Sequence, residues 1–165
     1  MTPEFRITSV IPHRYPALLV DRVGEVEPGR RLVAYKAVSV AEPAYRGLAQ
    51  GAQQEYAYPL SMMLESWAQA ALLLACWERP NPDVRTGQVT LGAGVRDARV
   101  LGPVYPGSVL VHEVTLVRDL GDTVVTAGSS SVDGRRVLDV GQLTFALRPA
   151  TELERAADEA VLARP

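Results

Sequence analysis

Short alternating runs of apolar and polar residues fill most of this chain, and one long apolar run interrupts them. That run, "LSMMLESWAQAALLLACW" from Leu60 to Trp77, is apolar nearly all round and predicts a helix covered on every side rather than one lying on a surface. Before it, "ALLVDRVGEVEPGRRLVAYKAVSV" reads as two strands joined at Glu27-Pro28-Gly29-Arg30, a Pro-Gly turn between β-branched runs. After it come "QVTLGAGVRDARV", "SVLVHEVTLVRD", "DTVVTAGSSSVD" and "RRVLDVGQLTFAL", separated by the turns "GPVYPG", "DLGD" and "DGR". Runs of about ten residues suit one strongly curved antiparallel sheet better than a sandwich of short strands. The sheet is therefore expected to wrap the helix.

At 165 residues the chain is expected to form one domain over residues 1–150, large enough to bury roughly 70% of the surface exposed by its unfolded state. The tail, residues 151–165, opens with a capping pattern from Thr151 to Glu154 and reads as a short helix or a frayed end. A net charge of −2 with no basic block gives no reason to expect nucleic acid or an anionic membrane as partner. The start of the chain, "MTPEFRITSVIPHRYP", lacks the pattern of a secretory signal, so a cytoplasmic location is the expectation. Glu65, Gln69 and two serines interrupt the apolar run, which argues against a membrane span. The single Cys76 reads as a small core residue. Neither a cluster with metal-ligand spacing nor a phosphate-cradling glycine loop occurs, so no metal or nucleotide cofactor is implied.

One carboxylate stands in the apolar run. Burying an unpaired carboxylate costs several kcal/mol, so Glu65 is expected to have a polar partner, and Gln69 one turn later shares its face. A lone carboxylate in such a setting reads as half of an acid/base pair.

Four segments, "IPHRYPALLVDRV", "KAVSVAEPAY", "MLESWAQAA" and "PVYPGSVLVHEVTL", resemble in order the FabZ-type 3-hydroxyacyl-acyl carrier protein dehydratases, over about residues 9–148. The resemblance implies an α+β hotdog fold, a curved antiparallel sheet around a long central helix. It also implies the removal of water from a 3-hydroxyacyl thioester, which needs a base for the C2 proton, an acid for the hydroxyl and donors for the thioester oxyanion. In that family a histidine in a Gly-His-Phe-Pro-Gly loop is the base and a helix carboxylate is the acid, contributed by different subunits of a dimer.

Carried over, the carboxylate falls on Glu65 and the loop on "GLAQG", Gly47 to Gly51, which puts Leu48 at the histidine position. The stretch to Pro59 has three more residues than the family pattern, and Leu60 stands where the family has a glycine beside the oxyanion donor. Leucine accepts no proton, and a Cβ at position 60 obstructs close approach of the backbone to substrate. Glu65 is the catalytic candidate; Leu48, Gly51, Pro59, Leu60, Met62 and Gln69 are the substrate-binding candidates.

His13, in a segment the family shares outside its active site, and His112, in mid-strand, are both expected to be structural. Glu55, Tyr56 and Tyr58 read as loop packing rather than as substitute acids or bases. Arginines 79, 85, 96 and 99 offer a surface to an acidic acyl carrier protein, although Leu101 and Gly102 replace residues that are often basic. The expected function is a dehydratase-family subunit of fatty acid or polyketide synthesis, inactive alone and paired with a histidine-bearing paralogue. The alternatives are a non-catalytic homodimer that binds an acyl chain or carrier protein, and an enzyme of changed chemistry that uses Glu65 alone.

Overall fold

The computed structural model describes residues 6–48, 53–85 and 87–151. Strands β1 (Arg22–Glu27) and β2 (Arg31–Ala37) form the expected hairpin, turning through Gly29 at a φ of 68°, a conformation glycine reaches without a Cβ penalty. Helix α2 spans Leu60–Cys76. The four long runs are β3 (Gln88–Val100), β4 (Val109–Asp119), β5 (Thr123–Val132) and β6 (Arg135–Pro149). All neighbours pair antiparallel in one sheet of order β1-β2-β4-β5-β6-β3, so β3 returns to the far edge.

Register shifts at Gly92/Gly94, Leu116/Arg118 and Thr126/Gly128 mark irregularities of the kind that bend long strands, and the sheet curves over α2. A Cβ on Gly128 would collide with the Glu113 carbonyl oxygen and crowd Trp67. Glycine there lets β4 and β5 close beneath the helix, where Trp67 Nε1 donates to that same carbonyl at 3.2 Å.

Helix α2 packs on β2, β4 and β5 through a stripe that includes Met63, Trp67, Ala70 and Leu74. It is not covered on every side. Leu60, Ser61 and Glu65 are exposed on the opposite face, and Leu64 and Ala68 are only partly buried. The apolar run does predict a cover for this face, but in the single chain the sheet supplies only one side of it.

Two further features were not read from sequence. A four-residue helix α1 (Ile7–Val10) buries Ile7 and Val10 in the core, and the Arg6 guanidinium lies 4.8 Å from the Trp77 ring centre. Lys36 is only 6% exposed, and its Nζ donates to Glu42 Oε1 at 2.9 Å and to the Ala37 carbonyl at 2.7 Å. The same Glu42 oxygen accepts the Ser39 N–H at 3.0 Å, which fastens the segment leading toward residue 48. The tail is helical at its start, and its remainder, 152–165, lies outside the described residues. No helix among the described residues is long and apolar enough to cross a membrane.

Candidate active site

Glu65 projects from the open face of α2 into a cavity of about 390 Å³. Leu64, Ala68 and Leu72 of the helix, Val95 of β3 and Leu143 and Phe145 of β6 give it mostly apolar walls. The side chain of Glu65 is 49% exposed in the single chain, so the expectation of a buried carboxylate does not hold there. The expected partner does. Gln69 Nε2 donates to Glu65 Oε1 at 2.8 Å across one helical turn. Gln69 is itself buried at 1% exposure, and it also donates to the Ala17 carbonyl and accepts the Leu19 N–H, each at 2.8 Å. Its amide thus joins the helix carboxylate to the stretch that precedes β1.

That stretch also brings in a residue for which sequence suggested only a structural role. His13 lines the same cavity, with Nε2 3.7 Å from Glu65 Oε1. Its other ring nitrogen, Nδ1, is buried and has no hydrogen-bond partner among the described residues. Burial is the largest influence on the ring and holds its pKa below the ordinary histidine value; the Glu65 carboxylate opposes this and the Arg14 guanidinium adds to it. His13 and Glu65 lie 52 positions apart, and no local pattern signals their meeting.

The other candidates do not converge on this cavity. Met62 faces a separate hollow of about 650 Å³ beside Tyr15, Lys36 and Tyr45. Leu60 is 51% exposed and lines a third, of about 420 Å³, with Tyr58, Val100 and Leu101. Pro59 caps the helix start, its carbonyl accepting the Met63 N–H at 3.0 Å. Leu48 is partly exposed after a turn in which its N–H meets the Tyr45 carbonyl at 3.2 Å, and Gly51 lies outside the described residues.

The remaining titratable groups are poorly placed for chemistry. His112 is fully buried, its Nδ1 2.8 Å from Ser130 Oγ; burial first, and nearby Lys36 second, lower its pKa to about 3. Burial likewise pushes the Tyr58 phenol far above its usual range and raises the Cys76 thiol to about 11. Glu55 is exposed and Tyr56 packs beside Tyr45. Of the arginines expected to meet a partner, Arg79 pairs with Asp119 at 2.6 Å, while Arg85, Arg96 and Arg99 are exposed.

The family model for the FabA-like domain matches residues 11–141. A 3-hydroxyacyl-acyl carrier protein dehydratase FabZ from Myxococcus xanthus is 41% identical over 133 residues, covering 81% of this chain and 84% of that relative. The protein of the same name from Symbiobacterium thermophilum is 41% identical over 147 residues, covering 89% and 98%. Among solved structures, the dehydratase heterocomplex ApeI:P from Xenorhabdus doucetiae aligns with a TM-score of 0.75 at 21% identity, covering 95% of this chain and 98% of that one. A hot-dog-like protein from Thermanaerovibrio acidaminovorans aligns with a TM-score of 0.61 at 21% identity, covering 81% and 91%. At such identities these structures establish the hotdog fold.

Proposed function

The chain belongs to the FabA-like dehydratase family, and from that premise we propose that it is a subunit acting on 3-hydroxyacyl-acyl carrier protein thioesters that supplies the acid and lacks the base. The observation that carries this reading is the state of the two halves of the expected pair. Glu65 stands in an apolar cavity with one oxygen held by Gln69, whereas Leu48, which the family resemblance sets at the loop-histidine position, does not line that cavity.

Dehydration takes the C2 proton onto a base, moves the C–H electron pair into a C2–C3 double bond and expels the C3 hydroxyl as water once an acid has protonated it. Glu65 is suited to the last step, since it borders the space where an acyl chain would lie. The base is a histidine from a paralogue. In such a mixed dimer one site combines the paralogue's histidine with Glu65 and works, while the other faces Leu48 and does not.

The surface supports a second subunit. Strand β3 forms one edge of the sheet and exposes Leu91, Val95 and Val100, an apolar edge of a kind that soluble proteins seldom leave open. Exposed Arg96 and Arg99 on the same strand suit an acidic carrier protein. A non-catalytic homodimer that binds an acyl chain or carrier protein is the second reading, favoured by Leu60, which stands where the family resemblance sets a glycine and does not line the cavity of Glu65.

The test is to assay the purified chain alone and after co-expression with a histidine-bearing paralogue. Alone it should not turn over a 3-hydroxyacyl carrier-protein thioester at ordinary enzyme rates, roughly 1 per second or more. The co-purified pair should. Turnover by the chain alone overturns the proposal, and failure of the two chains to associate favours the homodimer.

A further inference from the structure

The proposed reaction needs a proton on a particular oxygen of Glu65, and the surroundings of that side chain are unequal. Oε1 receives the Gln69 amide at 2.8 Å and faces His13 Nε2 at 3.7 Å. No hydrogen bond reaches Oε2 among the described residues. Gln69 cannot easily turn away, because its own oxygen is taken by the Leu19 N–H and its nitrogen also serves the Ala17 carbonyl. His13 is held from behind. Arg14 Nη1 donates to the Ile11 and His13 carbonyls at 2.8 Å, and its Nη2 donates to the Thr8 carbonyl at 2.9 Å.

The ring's proton is assignable on physical grounds. A buried N–H without an acceptor is rarer than a buried lone pair without a donor. Since Nδ1 is the buried nitrogen with no partner among the described residues, it carries the lone pair, and Nε2, 3.7 Å from Glu65 Oε1, carries the hydrogen.

We propose that His13 and Gln69 are positioning residues that hold Oε1 of Glu65, Gln69 by a hydrogen bond and His13 by facing the same oxygen at 3.7 Å, so that the proton delivered to the leaving hydroxyl resides on Oε2. The inference rests on Glu65 being the acid. Donors at one carboxyl oxygen favour the proton on the other, because an oxygen that already accepts hydrogen bonds is less basic. His13 contributes through the N–H dipole of a neutral ring that faces Oε1 at 3.7 Å. Burial, the largest influence on the ring, holds its pKa below the ordinary histidine value and so favours the neutral form. Among the described residues that line the cavity, the titratable groups are Glu65 and His13, and the nearby Arg14 guanidinium is turned onto backbone carbonyls.

Nitrogen-15 spectra of the His13 ring in the full chain test the pairing without any assay of activity. The expected result is the Nε2–H form, with a titration midpoint that falls further in Glu65→Gln as the opposing carboxylate is removed. An Nδ1–H ring, or a midpoint indifferent to Glu65→Gln, overturns the proposal. In the dimer with a histidine-bearing paralogue, His13→Phe should lower kcat on the order of 100-fold with little change in KM, the scale of a misplacement of about 1 Å. His13→Gln, which puts an amide where Nε2 stood, should recover most of that loss, and full activity of His13→Phe overturns the proposal. If Glu65→Gln leaves the dimer fully active, the acid assignment has failed, and the ring spectra still judge the pairing separately.

Discussion

His13 and His112 are both withdrawn from water, and burial lowers the pKa of each, yet their surroundings lead to opposite uses. His112 sits under the sheet with Ser130 as its hydrogen-bond partner and lines none of the cavities around the helix. His13 borders a cavity and faces a carboxylate. A depressed histidine pKa by itself therefore says little about function. What distinguishes the two is whether the uncharged ring is turned toward space a substrate can enter.

The largest change expected on the His13 side is at Glu65. Glu65→Gln keeps the shape and removes the acid, and should lower dehydration by the mixed dimer about 10²–10⁴-fold while assembly, followed by size-exclusion chromatography, is unchanged. Loss of activity only when the paralogue's own carboxylate is removed would reduce Glu65 to a structural group.

On the His112 side the leading effect is on stability against pH. The folded ring stays neutral down to about pH 3, whereas the unfolded ring takes up a proton near the ordinary value of 6.5. Between these limits the unfolded state binds more protons, so stability falls as pH drops, by up to roughly 1.4 kcal/mol per pH unit from this residue. His112→Leu should flatten that acid-side loss in urea unfolding midpoints; an unchanged slope would mean the ring is not sealed.

Smaller still is Ser130→Ala, which leaves the ring's Nδ1 without a partner and should cost about 1–3 kcal/mol. Adding His112→Leu to it should recover part of that cost, and a strictly additive double mutant would show the bond to carry little energy. The smallest effect belongs to Leu48→His. Leu48 does not border the cavity of Glu65, so the new imidazole should raise the activity of the chain alone less than about 10-fold.

The architecture was legible where side-chain period and turn chemistry act over a few residues. The Asp133-Gly134 turn adopts positive φ at both residues, 50° and 75°, as the dipeptide between two alternating runs implies. Gln69 beside Glu65 followed from helical spacing. The place of β3 did not, because nothing within "QVTLGAGVRDARV" says that it pairs with the last strand rather than the next. His13 was hidden for the same reason: the chain folds back before β1 through backbone bonds to Gln69 and Arg14, which no periodicity reveals. The open face of α2 has another cause. An apolar run records that a surface needs covering, and says nothing about which chain covers it.

Lys36 is the only lysine in the sequence, and it is buried against Glu42. Every other ε-amine that usually obscures a labelling experiment is absent. An acylating reagent of amines will therefore reach the Lys36 ε-amine only when the segment from β2 to Glu42 opens, so slow incorporation of label at Lys36, followed in its own peptide, times that opening directly. The chain thus carries, without any engineering, a single-site chemical clock for the strand and turn that lead to Glu42.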